Sequence, residues 1–175
     1  MNEPEVRLKT RHGFTDFLYW NLALSVPIIT ACVAILRNSV WGLILYVIVG
    51  IGLVMVIYRF YCTHCPHYIQ GKGATRCMFF WGIPKIFEPK PGPLSMFERI
   101  VSLTAPVIMI LLPLYWLVLE PALLVVYVLS MTVFIMSVRR NECGRCIYYD
   151  CPVNCVPESV RDRSREEPAE TDRVI

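Results

Sequence analysis

The stretch VWGLILYVIVGIGLVMVIY, residues 40–58, is nineteen residues long and contains no Asp, Glu, Lys, Arg or His. Three other runs share this character: 17–36 and 100–119, with twenty residues each, and 122–138, with seventeen. A helix needs roughly 20 apolar residues to cross the hydrocarbon core of a bilayer, with a lower limit near 17. The sequence therefore predicts an all-α membrane protein with four transmembrane helices.

Short turns join these runs into two pairs. Residues 37–39 connect the first two runs, and residues 120–121 connect the last two. Connections this short leave room only for helical hairpins, because irregular backbone is not tolerated in contact with lipid tails. We therefore expect two tandem hairpins, at 17–58 and 100–138. An ordinary soluble domain is disfavoured, since 55% of the 175 residues are hydrophobic and the mean hydropathy is +0.50.

Arginine and lysine residues predict the orientation. Of seventeen such residues, only Arg37 lies in either short turn. Cytoplasmic loops carry the excess of Lys and Arg, so both termini should be cytoplasmic and the helices should cross the plasma (inner) membrane. The predicted cytoplasmic parts are an N-terminal arm at 1–16, a cysteine-containing interfacial loop at 59–99 and a cysteine cluster at 139–156. A polar tail follows at 157–175, and we expect it to be a short helical stub that continues as disordered chain.

The residues after each hairpin form an internal repeat. Both copies read R-x-x-C-x-x-C-x-x-Y, with a constant offset of 81. The matched pairs are Arg59 and Arg140, Cys62 and Cys143, Cys65 and Cys146, and Tyr68 and Tyr149. Each copy follows two spans, so the two halves point the same way and their cysteine loops should face each other. Two unrelated motifs beside the membrane are the alternative.

The interfacial loop contains apolar stretches that Gly and Pro interrupt. It cannot span the membrane, because its backbone polar groups would be unpaired in lipid. We expect it to lie at headgroup level with Trp81 as an anchor, or else to pack as an ordinary loop on the hairpins. Ser95 and Glu98 fit a capping box at the start of the third span.

Seven of the eight cysteines lie in the predicted cytoplasmic segments. They are Cys62, Cys65 and Cys77 after the first hairpin, and Cys143, Cys146, Cys151 and Cys155 after the second. In a reducing cytosol, clustered cysteines are more often metal ligands or redox groups than disulfides. All seven are therefore candidate metal ligands. The eighth, Cys32, lies within the first run and is expected to be an ordinary small buried residue.

Three ligand arrangements are open from the sequence. Each half could bind its own ion or cluster, with His64 or His67 completing the three thiols of the first loop. Alternatively, the two C-x2-C pairs could meet in one site of Cys62, Cys65, Cys143 and Cys146. Cys77, Cys151 and Cys155 would then serve a second site or redox chemistry. The third arrangement holds no metal and uses reduced thiols, palmitoylation or dithiol chemistry.

Iron–sulfur and zinc are both compatible with C-x2-C spacing. Cys65-Pro66 and Cys151-Pro152 favour iron–sulfur. On a four-span core these dipeptides resemble the membrane ferredoxin-type subunits of the periplasmic nitrate reductase system, a family that passes quinol electrons onward. The resemblance implies electron transfer. The likeness is confined to the span plan and these dipeptides, because the cysteine gaps differ and the sequence lacks the ferredoxin domains that define the family.

These patterns predict a lipid-embedded protein with cytoplasmic thiolate metal sites that relays electrons, or docks, as a subunit of a membrane redox complex. The alternatives are a zinc-stabilised adaptor without chemistry and a C-x2-C thiol–disulfide protein. We do not expect a stand-alone enzyme, because G-x-S-x-G, H-E-x-x-H, P-loop and G-x-G-x-x-G motifs are absent from the sequence. Nucleic acid is not an expected partner, since membrane topology already accounts for the basic residues.

Overall fold

The computed structural model describes residues 8–9, 11–69 and 73–166 of the chain. Its elements are α1 (Phe14–Asn38), α2 (Val40–Phe60), a first 3-10 helix (Cys62–His64), α3 (Pro66–Ile69), β1 (Ala74–Arg76), β2 (Trp81–Pro84), α4 (Met96–Leu111), α5 (Leu114–Leu117), α6 (Pro121–Asn141), a second 3-10 helix (Cys143–Arg145) and α7 (Glu158–Glu166). The predicted helical stub of the tail corresponds to α7. The rest of the tail, 167–175, and residues 1–7 of the arm lie outside the described residues.

Four helical stretches are long and apolar enough to cross a membrane, as the sequence predicts. They are Phe14–Asn38, Val40–His64, Met96–Leu117 and Pro121–Arg145. Much of their outer surface is apolar and exposed, which suits contact with lipid. Trp41 and Tyr115 are 80% and 74% exposed near the two short connections, where aromatic side chains favour the membrane–water boundary. The chain therefore has the build of a membrane protein.

The two short connections differ in structure. Ser39 alone separates α1 from α2, and its Oγ accepts a hydrogen bond from Gly42 N at 3.1 Å to cap α2. The third span was predicted as one unbroken run, but its helix is interrupted at Leu112 and Pro113 before the short α5. Proline breaks the helix here because it has no backbone N–H and its ring crowds the preceding turn.

Helix α1 packs against three other helices. It contacts α6, α2 and α5, while α2 contacts α4. Ala31 and Ala34 of α1 are fully buried against Leu117 and Tyr127, because small residues let membrane helices approach closely. The Tyr127 hydroxyl donates a hydrogen bond to the Ile110 carbonyl at 2.9 Å. Helices that belong to different halves of the sequence therefore pack directly on one another.

The all-α prediction missed a small antiparallel sheet in the interfacial loop, formed by β1 and β2. Cys77 N donates to the Phe80 carbonyl at 2.8 Å and closes the turn between the strands. The Tyr58 hydroxyl, at the end of α2, lies 2.9 Å from Thr75 Oγ1 of β1. The contact between Tyr58 and Thr75 thus attaches the folded loop to α2. Within the loop, the paired strands satisfy backbone N–H and C=O groups that an α-helix would otherwise pair internally.

The contacts of Ser95 and Trp81 bear on two further expectations for this loop. Ser95 Oγ accepts a hydrogen bond from Glu98 N at 3.3 Å, and Glu98 Oε2 accepts one from Ser95 N at 3.0 Å. The predicted capping box is therefore confirmed, and it opens α4. The Trp81 ring lies 5.9 Å from the Phe14 ring at the start of α1, so Trp81 packs against the end of the bundle.

The N-terminal arm and both cysteine loops gather at one end of the bundle. Lys9 N donates to the Arg145 carbonyl at 2.8 Å, and the Tyr61 hydroxyl lies 2.9 Å from Cys151 Sγ. The short connections lie at the other end of the spans, where Arg37 Nη1 is 3.6 Å from Glu120 Oε2. Seven cysteines therefore share one end of the molecule.

Candidate functional site

The two C-x2-C motifs begin on the same backbone path. Tyr61 and Glu142 end their helices with φ/ψ of −103°/−52° and −108°/−53°. A single 3-10 turn follows in each half and carries the first cysteine of the motif. The second cysteine, Cys65 or Cys146, is extended, with φ/ψ of −73°/134° and −80°/130°. The matched sequences therefore fold alike locally, because helix end, turn and extended residue fall at equivalent positions.

Cysteines from the two halves are close enough to influence each other's protonation. Burial raises the pKa of Cys65, and the negative charges that Cys77 and Cys146 would carry raise it further. Burial also raises the pKa of Cys146, to which Cys151 and Cys77 add in the same direction. Cys65 and Cys77 of the first half thus lie within electrostatic range of Cys146 in the second.

The remaining cysteines extend this group on both sides. Cys62 interacts most with Cys77 and Cys65, both in its own half. Cys143 interacts most with Cys151, Cys155 and Cys146, also in its own half. The interactions between sulfurs of different halves therefore join Cys65 and Cys77 to Cys146. The possible site of Cys62, Cys65, Cys143 and Cys146 stays a prediction.

Backbone N–H groups near the three central sulfurs lower the pKa of each cysteine. They belong to His67 and Tyr68 for Cys65, to Met78, Phe79 and Phe80 for Cys77, and to Tyr148 for Cys146. The Tyr148 N to Cys146 Sγ distance is 3.5 Å. Hydrogen bonds of this kind favour the thiolate over the thiol, so they lower each cysteine's pKa against the opposing effect of burial. Metal-bound cysteines are commonly supported in this way.

The fit of this group to a metal is mixed. Its donors are the sulfur ligands that zinc and iron–sulfur clusters take. As the side chains lie, no set of three or more His, Cys, Asp or Glu residues within 8–9, 11–69 and 73–166 has the geometry to hold a metal ion. Cysteine has one side-chain torsion, and rotation about it redirects the sulfur without moving the backbone. The donor chemistry of the cysteines suits a metal, while the described side chains are not placed to hold one.

Two tyrosines that the sequence analysis did not single out border the sulfurs. Tyr61 Oη lies 2.9 Å from Cys151 Sγ, and the Tyr61 and Tyr148 rings pack edge to face with centroids 6.2 Å apart. The Tyr148 hydroxyl is buried and has no hydrogen-bond partner among the residues whose positions are described. Tyr148 interacts electrostatically with Cys65 and Cys151. A buried hydroxyl without a partner is rare in folded proteins, and this one lies within electrostatic range of Cys65 and Cys151.

A buried carboxylate, also missed from the sequence, ties the N-terminal arm to the second loop. Glu142 Oε1 accepts hydrogen bonds from Lys9 Nζ at 2.9 Å and from Trp20 Nε1 at 2.8 Å. Its second oxygen lies 3.7 Å from His12 Nδ1. The one feature of the sequence that could have drawn attention to Glu142 is its position directly before Cys143. The partners lie more than a hundred residues away in the sequence, so the network itself could not be foreseen.

The two candidate histidines have different surroundings. His64 Nδ1 lies 3.2 Å from the Gly92 carbonyl, and its Nε2 lies 3.3 Å from Glu98 Oε1. Both ring nitrogens of His64 therefore face oxygen atoms. His67 Nε2 is buried and lacks a hydrogen-bond partner in the described part of the chain. Burial, then the positive charges of His12 and Lys9, lower the pKa of His67 to about 4, so its imidazole is neutral at pH 7 and able to bind a metal.

Comparison with protein-family models, with curated proteins and with solved structures found no match for this chain. The arrangement of its own residues is therefore the basis for a functional assignment.

Proposed function

We propose that this membrane protein binds iron–sulfur centres on its two cysteine loops and relays electrons as a subunit or docking partner of a larger membrane redox complex. One observation carries the proposal. Cys65, Cys77 and Cys146, from both halves of the chain, are close enough to interact electrostatically, and Cys146 Sγ accepts a hydrogen bond from Tyr148 N at 3.5 Å. Packing alone does not require an N–H group aimed at sulfur, whereas such a donor stabilises a thiolate ligand.

The ligands are assigned by half. The second loop supplies a complete set of four thiolates, Cys143, Cys146, Cys151 and Cys155. The first loop supplies Cys62, Cys65 and Cys77. His67 is the favoured fourth ligand because its buried Nε2 has neither a hydrogen-bond partner nor an ion pair with a carboxylate among the described residues, whereas His64 Nε2 lies 3.3 Å from Glu98 Oε1. Two centres held in this way are neighbours, since Cys65 interacts with Cys146. Such proximity supports electron transfer between the two loops.

Metal binding must displace protons from these cysteines. Burial raises the pKa of Cys65, Cys77 and Cys146, so the metal-free thiols are protonated at pH 7. Protonated, buried thiols are poor nucleophiles, which disfavours the thiol–disulfide alternative. The bound metal supplies the positive charge that makes deprotonation favourable, so metal affinity should fall as pH falls. Iron–sulfur chemistry, once the centre is bound, provides one-electron transfer.

The proposed location is the plasma (inner) membrane, with both termini and the seven clustered cysteines in the cytoplasm. The strong bias of Arg and Lys away from the short connections supports this orientation. A membrane-impermeant maleimide added to intact cells should leave the seven thiols unlabelled and should label them after the membrane is opened. Labelling from outside would reverse the orientation and remove the reducing compartment on which the metal proposal relies.

Anaerobic purification in detergent tests the metal directly. We expect iron and acid-labile sulfide in stoichiometric amounts, with a broad absorption band near ~400 nm from sulfur-to-iron charge transfer. Cys146→Ser should lose roughly half of this signal, because Cys146 is a ligand of the second-loop centre alone. Cys32→Ser is the matched control, since Cys32 lies within α1. Colourless protein with stoichiometric zinc would favour the structural adaptor instead, and metal-free protein with an active dithiol would favour thiol–disulfide chemistry.

A further inference from the structure

Two arginines at the cysteine end of the bundle make no ion pair with any residue whose position is described. Arg59 lies in the last turn of α2, directly after a charge-free run of nineteen residues, and Arg99 lies near the start of α4. Lysines at the same end are neutralised instead, since Lys9 is 2.9 Å from a carboxylate oxygen and Lys90 is 3.6 Å from another. The charges of Arg59 and Arg99 are therefore available to an anion from outside the chain.

Aromatic rings hold Arg59 in place. Its guanidinium carbon lies 5.2 Å from the centroid of the Phe87 ring and 5.8 Å from that of the Phe60 ring. An arginine that stacks on rings still presents the planar fork of N–H donors that matches the oxygen atoms of a phosphate group. Glu88 follows Phe87, is exposed and forms no ion pair with Arg59 within the described residues. Arg59 is thus oriented in advance without being neutralised.

An exposed apolar face of α4 continues from these arginines along the span. Phe97 is 65% exposed, and its ring lies 5.9 Å from the Phe60 ring, which joins the start of α4 to the end of α2. Exposed apolar residues then recur every three or four positions: Met96, Ile100, Leu103 and Val107. Arg99 shares their face, because it lies three residues after Met96 and four before Leu103. Cations at one end of an apolar stripe match a phospholipid, whose phosphate lies at the membrane boundary and whose acyl chains extend into the bilayer.

We infer that Arg59, Phe97, Arg99 and the exposed apolar face of α4 bind one anionic phospholipid in the leaflet at the cysteine end. Arg59 and Arg99 supply positive charge to the headgroup, and an acyl chain lies along α4. An anionic headgroup is favoured because a zwitterionic one would bring a second positive charge beside arginines that no described carboxylate neutralises. The inference is independent of the proposed metal centres, since none of their ligands belongs to this surface.

Native mass spectrometry of the full-length, delipidated protein in detergent measures the affinity of the first lipid that binds. We expect phosphatidylglycerol to bind wild-type protein more tightly than phosphatidylcholine. Arg99→Gln should weaken the binding of phosphatidylglycerol roughly fivefold, which is the effect of one cation close to anionic headgroups. This variant should fold normally, because the exposed Arg99 side chain makes no hydrogen bond or ion pair within the described residues. Arg59→Gln, which also gives up its place beside two rings, should weaken binding at least as much.

Arg140→Gln is the matched control. Arg140 occupies the position of Arg59 in the second copy of the repeat, but Asn141 stands where Phe60 does in the first. Arg140 is exposed and lies over no aromatic ring in the described part of the chain. Its variant should leave the affinity of the first lipid within error of wild type. Equal weakening in Arg99→Gln and Arg140→Gln would mean that the total charge of this end attracts lipid without a specific site, and it would overturn the inference.

Glycerol 3-phosphate distinguishes a lipid from a soluble phosphate, because it carries the same phosphate group without acyl chains. An excess should fail to displace phosphatidylglycerol, since the apolar face of α4 contributes contacts that only an acyl chain makes. Ready displacement would identify a site for soluble phosphates and overturn the inference. Equal affinity for phosphatidylglycerol and phosphatidylcholine would overturn it too, and would favour an acidic protein partner for the two arginines.

Discussion

The C-x2-C motifs of the two cysteine loops have the same backbone conformation, but different side chains support that conformation. The first loop rests on aromatic rings: Tyr58 packs edge to face with Tyr68 at 5.5 Å and with Phe80 at 5.3 Å between centroids. The second rests on polar groups, namely Glu142 with its partners and the side-chain amide of Asn154. A repeat can therefore preserve the placement of its sulfurs while exchanging apolar support for hydrogen bonds. The first loop should respond most to lost volume, and the second to lost polar contacts.

The largest effect is expected for Tyr68→Ala. Tyr68 is 1% exposed, so its truncation leaves a cavity in the first loop and should cost about 3–5 kcal/mol. Thermal unfolding in detergent should show a midpoint at least about 6 °C lower. Tyr149→Ala is the control at the matched position of the repeat. Tyr149 is only half-buried, so Tyr149→Ala should lower the free energy of unfolding by less than half as much. Equal decreases for the two variants would contradict the contrast between the loops.

Acid should weaken the first loop through His67. Its pKa is lowered from 6.5 to about 4, first by burial and then by the charges of His12 and Lys9. The unfolded chain therefore takes up a proton at a higher pH than the folded chain, so stability present above pH ~6.5 is lost as pH falls toward ~4. The free energy of unfolding should fall by up to about 3 kcal/mol in total, because each pKa unit between the folded and unfolded His67 contributes about 1.36 kcal/mol.

Thermal unfolding of the metal-free protein at pH 7 and at pH 5 measures this effect. His67→Gln should flatten the dependence on pH, since glutamine keeps a polar side chain of similar size and does not titrate. Wild-type and variant proteins with the same pH dependence would contradict the assignment to His67.

The sequence predicted the four spans better than it predicted the contacts that support the two loops, and the metal ligands stay a prediction. Charge-free runs as long as a bilayer is thick leave few alternatives to spanning helices, and C-x2-C spacing marks paired sulfurs without knowledge of the fold. The break at Pro113 was missed because proline is tolerated in membrane helices when neighbours satisfy the freed groups. The strands β1 and β2 span three and four residues, too few for an alternating pattern to stand out. The bond from Trp20 to Glu142 joins residues 122 apart, and its prediction would require the packed bundle.

Removing the charge of Glu142 should have the next largest effect. Glu142→Gln keeps the shape but leaves the partly buried Lys9 ammonium with Asp16 alone, at 3.1 Å. Removing one partner of a buried pair is costly, and the partial exposure of Lys9 reduces the cost to about 2 kcal/mol. Glu120→Gln is the control, since the exposed pair that Glu120 makes with Arg37 contributes at most about 1 kcal/mol. Thermal unfolding compares the two, and a loss in Glu120→Gln as large as in Glu142→Gln would show that burial of the carboxylate does not matter.

The smallest effect is expected for Asn154→Asp. The Asn154 side-chain amide donates to the Cys146 carbonyl at 3.0 Å and to the Tyr148 carbonyl at 2.9 Å, and its oxygen accepts from Val156 N at 2.9 Å. Aspartate keeps the acceptor and loses both donors. The lost hydrogen bonds cost about 1 kcal/mol each, and a stronger pairing with Arg161, which already reaches Oδ1 at 3.0 Å, offsets part of that. The free energy of unfolding should therefore fall by about 1 kcal/mol overall.

Thiol alkylation shows which of the two cysteine loops is destabilised by Asn154→Asp. Cysteines of the second loop should react roughly fivefold faster in metal-free variant protein, while Cys62, Cys65 and Cys77 keep wild-type rates, because about 1 kcal/mol of local opening multiplies the exposed population by that factor. Asn38→Asp, at the opposite end of the bundle, is the control and should leave both loops unchanged. The difference should shrink once metal is bound, since ligated sulfurs then hold Cys146 in place themselves. Equal acceleration in both loops would mean that the two halves open as one unit, and the separate supports of the repeat would have no energetic consequence.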